Sequence, residues 1–466
     1  MKSLTKGKMW CYAIGQLGWS IISGLIGSWL VYFYQPDAAA KADGMVSLIP
    51  EGRVVLGILT IIGLITAGGR IFDAVTDPLV GNWSDKCRSR LGRRIPFMKY
   101  SAVPLGLIFV LVFCAPVNGV SPVNVAWLFV FVAAYYFAIT CYCTPYTSLL
   151  AELTHSQDEK LQLSTCISLT FIVGTAVGYS APVIWGAFMG AGLARIPAMR
   201  ITFAILAAVA TACMLVPVFT IREKDYCDCV PGSSSVTASL LKTFRNRNFR
   251  IFVSQDIIYF LGLTMFQTGL PFFVTSLLCF DETMSTVMFV GLTACSLLFY
   301  PFITKLARSI GKKKLVVIAF AGFFLTFGFT ALCGPRLGFS VPVQAVLIVL
   351  LGSFPMAIFG ICPQAIVADI AQSDEALTGE NRSGMFYAAR TFAMKFGQSA
   401  AMLLFTSLAT IGATDAIGAT DAIGAADGTG YRVVAAVAAA CCAFGGLLML
   451  CFNEKKVLAS IGAGSE

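Results

Sequence analysis

Arg70–Gly81 reads RIFDAVTDPLVG and lies inside an apolar run that extends over about 54–83. About 20 apolar residues, at 1.5 Å rise each, cross the hydrocarbon core of a bilayer as a helix. Three ionisable residues within such a run are out of place. Arg70, Asp73 and Asp77 fall at i, i+3 and i+7, on one helical face within an arc of about 60°. Each costs about 2.5–3.5 kcal/mol at the centre of a membrane helix. Two carboxylates at i, i+4 also repel each other, and a cation held between them relieves that repulsion.

The rest of the chain agrees with a membrane setting. Of 466 residues, 57% are hydrophobic and 12% charged, with a mean hydropathy of +0.81. Soluble domains carry about 45–50% apolar and about 25% charged residues, so soluble enzymes, nucleic-acid modules and disordered scaffolds are set aside. Twelve apolar segments of spanning length follow one another, at about 10–34, 54–83, 98–117, 124–151, 161–189, 199–221, 249–278, 284–306, 314–334, 342–368, 384–411 and 431–452. The first is longer than the 7–15-residue core of a signal peptide and reads as a retained span. The single His and the 16 Cys, most of them inside apolar runs, give no sign of a metal centre or a disulfide framework.

Charge placement orients the spans. Of 33 Lys and Arg, 24 fall on the side of the N-terminus, six on the opposite side and three (Arg70, Arg390, Lys395) within spans. The positive-inside rule then puts both termini in the cytoplasm of a plasma or bacterial inner membrane. The polar stretch 222–248 acts as a cytoplasmic linker between six-span halves, 1–221 and 249–466. The halves echo each other: SDKCRSRLGRR at 84–94 answers TKLARSIGKK at 304–313, with Gly92 aligned to Gly311. A parallel repeat of six spans is the plan of one large class of transporters. The repeat ATDAIGATDAIG at 413–424 reads as a low-complexity external loop.

Counting the helical rise from the cytoplasmic ends places Asp73, Thr140 and Ser20 about 18 Å deep, Lys395 about 16 Å and Asp77 about 12 Å. These groups on spans 1, 2, 4 and 11 share the layer near the midplane where secondary transporters bind substrate and coupling ion. Asp256 on span 7 adds another polar group, and Tyr142 on span 4 a ring face for stacking. His155 reads as a solvated helix cap. The phosphate loop of an ATP-driven pump is missing, as are the H-E-x-x-H and G-x-S-x-G motifs of hydrolases, so the chain is read as no enzyme.

Arg70–Gly81 followed by Gly92-Arg93-Arg94-Ile95-Pro96 resembles the signature of the glycoside–pentoside–hexuronide:cation symporters of the major facilitator superfamily. Tyr12–Gly18 and Ala368–Arg390 with Lys395 are similar to other parts of that family, so the likeness covers nearly the whole chain. It implies an all-α membrane protein with twelve transmembrane helices in two six-helix halves. It further implies Asp73 and Asp77 as cation-site carboxylates, Thr76 and Thr140 as neighbouring ligands, and Arg70 and Lys395 as balancing charges. Thr76 stands where a familiar member has Asn, and Ser20 and Cys143 where it has sugar-binding Asp. Gln16, Trp19, Ser20, Tyr142, Cys143, Asp256 and Gln398 form the candidate substrate contacts, and Asp85, Arg93 and Arg94 a cytoplasmic gate.

The expected function is import of a small solute, a sugar or glycoside, by symport with Na⁺ or H⁺. No cofactor beyond that ion, no nucleic acid and no obligate protein partner is expected; the partners are the solute and the bilayer. Two rival readings remain: a lysolipid or amphiphile symporter of the same fold, and a non-transporting membrane sensor.

Overall fold

Ser121 and Asn246 open two of the long helices as their sequence contexts dictate. The Ser121 hydroxyl oxygen accepts from the Val123 N–H at 3.2 Å, with Pro122 in the first turn, and Asn246 Oδ1 accepts from the Phe249 N–H at 3.2 Å. The computed structural model describes residues 4–52, 59–154, 157–226, 243–335, 337–338, 340–378, 383–411 and 428–463. His155, the loop repeat at 413–424 and residues 227–242 of the linker lie outside them.

The first half contains α1 (Lys6–Tyr34), α2 (Ile61–Lys86), α3 (Ile95–Val112), α4 (Pro122–Leu153), α5 (Gln157–Tyr179, continued by Ala181–Gly190) and α6 (Arg195–Thr220). The second contains α7 (Arg247–Phe272), α8 (Thr283–Ile310), α9 (Lys312–Leu332), α10 (Val341–Thr378), α11 (Ser383–Leu408) and α12 (Thr429–Leu450). A short α13 (Glu454–Ala463) follows, of which the hydropathy pattern gives no sign. Among the described residues, ten of these helices hold a stretch long and apolar enough to cross a membrane by length and composition. The remaining two long helices, α2 and α11, carry the ionisable residues that the sequence singles out within spans: Arg70, Asp73 and Asp77 on α2, Arg390 and Lys395 on α11.

The chain divides into two compact units, Met1–Gly57 with Leu64–Ser234, and Ile58–Gly63 with Ser235–Glu466. Within the first, α1 packs on α5 and α6, and α3 on α4 and α6. Within the second, α7 packs on α11 and α12, and α9 on α10 and α12. The two units therefore use the same internal pairings six helices apart, as the sequence repeat requires.

The repeat extends to how two helices are capped. Gly92 (φ +117°) and Gly311 (φ +89°) adopt backbone conformations that favour glycine, and each leads into the first turn of a helix, α3 and α9. The Glu223 carboxylate, fully buried after α6, accepts from the N–H groups of Arg93 (2.8 Å), Arg94 (2.8 Å) and Ile95 (3.2 Å). The Glu454 carboxylate, placed after α12, accepts from those of Lys312 (2.8 Å) and Lys313 (3.1 Å). Both carboxylates satisfy orphan donors and oppose the positive end of a helix dipole. Glu223→Gln is expected to lower stability by about 1–3 kcal/mol, the worth of hydrogen bonds to a charged group, and Glu454→Gln by less. Unfolding of the detergent-solubilised variants checks the order, and an unchanged Glu223→Gln midpoint would contradict it.

Candidate functional site: a carboxylate–threonine ladder

The first unit brings α2 and α4 together along their polar faces. Asp73 is buried, 6% exposed, and its Oδ1 accepts a hydrogen bond from the Thr140 hydroxyl. Thr140 Oγ1 also lies 2.9 Å from the Tyr136 carbonyl oxygen. The Thr76 hydroxyl lies 3.1 Å from the Asp73 carbonyl oxygen and 3.4 Å from Thr140 Oγ1. One turn further, Thr144 Oγ1 donates to Asp77 Oδ1 at 2.9 Å. Asp73 pairs with Thr140 and Asp77 with Thr144, so both rungs join residues 67 apart in sequence. Equal offsets are what two helices running in the same direction produce.

Gly69 makes the close approach possible. A Cβ there would stand 2.6 Å from Tyr136 Cδ2 and 2.9 Å from Val132 Cγ1, so only glycine admits the ring. Tyr136 in turn receives the Arg70 guanidinium, 5.6 Å from the ring centroid, as a cation–π neighbour. A proline directly follows the second rung on each helix, Pro78 after Asp77 and Pro145 after Thr144. The result is a patch of carboxylate and hydroxyl oxygens, partly shielded from solvent, of the hard-ligand type that suits Na⁺, Li⁺ or H⁺. Among the described residues no cluster of three or more His, Cys, Asp or Glu forms a polyvalent metal site.

Other anticipated residues are placed differently. Tyr142 is fully buried and its hydroxyl donates to the Met214 carbonyl at 2.7 Å, which ties α4 to α6. The ring that the sequence offers for stacking is thus packed between α4 and α6. Nearby, the rings of Tyr12 and Tyr146 stack at 4.4 Å, and the Tyr146 hydroxyl donates to the Tyr12 carbonyl at 2.8 Å. Gln16 and Ser20 are buried and engage each other: Gln16 Nε2 donates to Ser20 Oγ (3.1 Å), and Ser20 Oγ donates to the Gln16 carbonyl (2.6 Å). Trp19 is half-buried beside Phe171, and Cys143 is half-buried.

In the second unit Asp256 is fully buried, with Oδ2 2.8 Å from Arg390 Nε and Oδ1 3.3 Å from Arg390 Nη2. The Arg390 guanidinium also faces the rings of Phe252 (6.0 Å) and Phe260 (5.9 Å). Asp256, a candidate substrate contact by sequence, is thus one half of a two-point ion pair between α7 and α11. Lys395 and Gln398 are half-buried on α11. Of the candidate gate, Arg94 Nη2 lies 2.5 Å from Asp85 Oδ1 and Arg94 also bonds the Ser84 hydroxyl, which fastens the α2–α3 turn within the first unit.

Two of these contacts go beyond the sequence expectations, Thr144 with Asp77 and Arg390 with Asp256. Thr144 was legible, because Thr140 and Thr144 repeat the i, i+4 spacing of Asp73 and Asp77. The partnership of Asp256 and Arg390 was not, since 134 residues separate them.

The profile of the MFS/sugar transport protein family matches residues 11–454. The chain belongs to that family. It is a multi-pass membrane transporter with a major facilitator fold, as the second-span motif implies. The isoprimeverose transporter of Lactiplantibacillus pentosus is 24% identical to it, over 83% of this chain and 76% of that one. The sodium-dependent lysophosphatidylcholine symporter 1 of Xenopus tropicalis is 31% identical over 117 residues, 25% of this chain and 22% of that one. Among solved structures, the D-xylose-proton symporter superposes with a TM-score of 0.65 at 14% identity, covering 96% of this chain and 98% of that one, a likeness of fold.

Proposed function

We propose that this MFS/sugar transport family member is a cation-coupled symporter that imports a small solute, a sugar or glycoside, with Na⁺ or H⁺. The observation that carries the reading is the pair of rungs Asp73–Thr140 and Asp77–Thr144. Two carboxylates one turn apart on a lipid-embedded helix repel each other unless a cation screens them. The screened site accepts solute more readily than the bare one, and that difference is the coupling. Arg70 and Lys395 balance the carboxylates when the ion has left. No cofactor beyond the coupling ion takes part. The excess of Lys and Arg on the N-terminal side supports a topology with both termini in the cytoplasm of a plasma or bacterial inner membrane.

Purified protein in proteoliposomes, given imposed Na⁺ or H⁺ gradients and a panel of labelled sugars and glycosides, tests the reading directly. Accumulation against a concentration difference, driven by one of the two ions, is expected. A lysolipid substrate is the second reading, favoured by the partial likeness to the lysophosphatidylcholine symporter. Lysophosphatidylcholine therefore belongs in the panel, and its ion-driven uptake with no sugar uptake would replace the first reading. Absence of any gradient-driven movement would leave a sensor. Thr144→Val should weaken the apparent affinity for the coupling ion about tenfold, the loss of one hydrogen bond to a charged group. The half-saturating ion concentration for uptake measures it.

A further inference from the structure

The geometry points to a binding site for the headgroup of an anionic phospholipid, in a groove where the start of α3 meets the end of α6. There a cavity of about 460 Å³ is walled by Arg90, Lys99, Arg222 and Lys224, with Asp225 as the only acidic side chain lining it among the described residues. Among the described residues, none of these four cations takes part in an ion pair. The backbone amides at the head of α3 add nothing to the site, because Glu223 already occupies those of Arg93, Arg94 and Ile95. The attraction is therefore of side-chain origin, and it is selective for anions.

What lies beside the cations identifies the anion's carrier. Leu91, Val218 and Phe219 line the same cavity, and Phe219 is 70% exposed. On α3, Tyr100, Val103 and Leu107 form an exposed apolar stripe at i, i+3 and i+7, beginning one residue after Lys99. In a membrane-spanning helix such a stripe faces acyl chains. A cluster of positive charge at the mouth of an apolar track matches a molecule with a phosphate head and hydrocarbon tails, and basic pockets between spans bind such heads elsewhere. A free phosphate ion would use the cations and ignore the track.

The test uses full-length protein in a neutral detergent, with phosphatidylglycerol or phosphatidylcholine added to the micelles. Retained lipid is read by native mass spectrometry and stability by the unfolding midpoint. Wild type is expected to retain phosphatidylglycerol in preference to phosphatidylcholine, less so at high salt. Replacing Arg90, Lys99, Arg222 or Lys224 by Gln should weaken that preference about fivefold each, the equivalent of about 1 kcal/mol per basic residue near an anionic surface. Asp225→Asn should strengthen it, a gain that misfolding cannot mimic. Lys455→Gln with Lys456→Gln, a basic pair far along the chain, should leave it unchanged. The proposal fails if the fourfold Gln variant, with a wild-type midpoint in phosphatidylcholine, keeps the full preference. It fails equally if inorganic phosphate alone stabilises the protein as well as phosphatidylglycerol does.

Discussion

Replacing Asp73 by Asn is expected to abolish ion-driven accumulation, with the apparent ion affinity lowered at least about 100-fold. The carboxylate is buried, so water screens its charge weakly, and a unit charge about 4 Å from a cation at an effective dielectric near 20 is worth about 4 kcal/mol. Asn keeps the shape of the side chain and an oxygen that still accepts from Thr140, so the contact between α2 and α4 survives while the charge does not. The outcome should therefore be loss of coupling without loss of fold: solute equilibrates slowly across proteoliposomes, and imposed gradients no longer concentrate it. Asp77→Asn should follow the same direction with a smaller effect, since Asp77 is only half-buried and better screened. Undiminished, gradient-dependent accumulation by Asp73→Asn would remove the basis of the proposed function.

The second large effect concerns stability. Arg390→Met should cost about 3–5 kcal/mol, because it strands the fully buried Asp256 carboxylate without its two guanidinium contacts. Asp256→Leu should be comparably harmful, leaving a buried guanidinium between Phe252 and Phe260 with no counter-charge. Combining the two should recover most of the loss, since an apolar pair of similar volume carries no desolvation penalty. Unfolding midpoints and yields of folded protein in detergent give the comparison. Single variants that behave like the double would show that the pair does not hold α7 to α11.

The spans were legible because lipid enforces a crude rule: a helix that crosses it must be apolar for about 20 residues. Where that rule is broken, at Arg70, Asp73 and Asp77, the breach itself marks the candidate site, and the i, i+4 spacing gives the face that meets Thr140 and Thr144. Thr140 could be anticipated from its depth. Which polar groups turn into a neighbouring helix was not legible. Tyr142 and Tyr135 look alike in sequence, and only packing against α6 decides that the Tyr142 hydroxyl meets the Met214 carbonyl. Gln16 and Ser20, by contrast, bond within α1, Gln16 Nε2 to Ser20 Oγ and Ser20 Oγ to the Gln16 backbone carbonyl, a contact their i, i+4 spacing already offers. The repeat was visible as a string of glycine and basic residues, but not the acid caps that accompany it. Glu223 and Glu454 lie far downstream in segments that share little beyond a Glu-Lys pair, and the turns they close unite them.

The prolines after Asp77 and Thr144 carry one more consequence. Each removes the amide that would have bonded the carbonyl four residues back, at Ala74 on α2 and at Cys141 on α4. Those two gaps sit side by side in register, as the rungs do. Both rods are thus weakened at the same height and can flex in step, like paired elbows, without shearing the oxygen contacts that cross from one to the other.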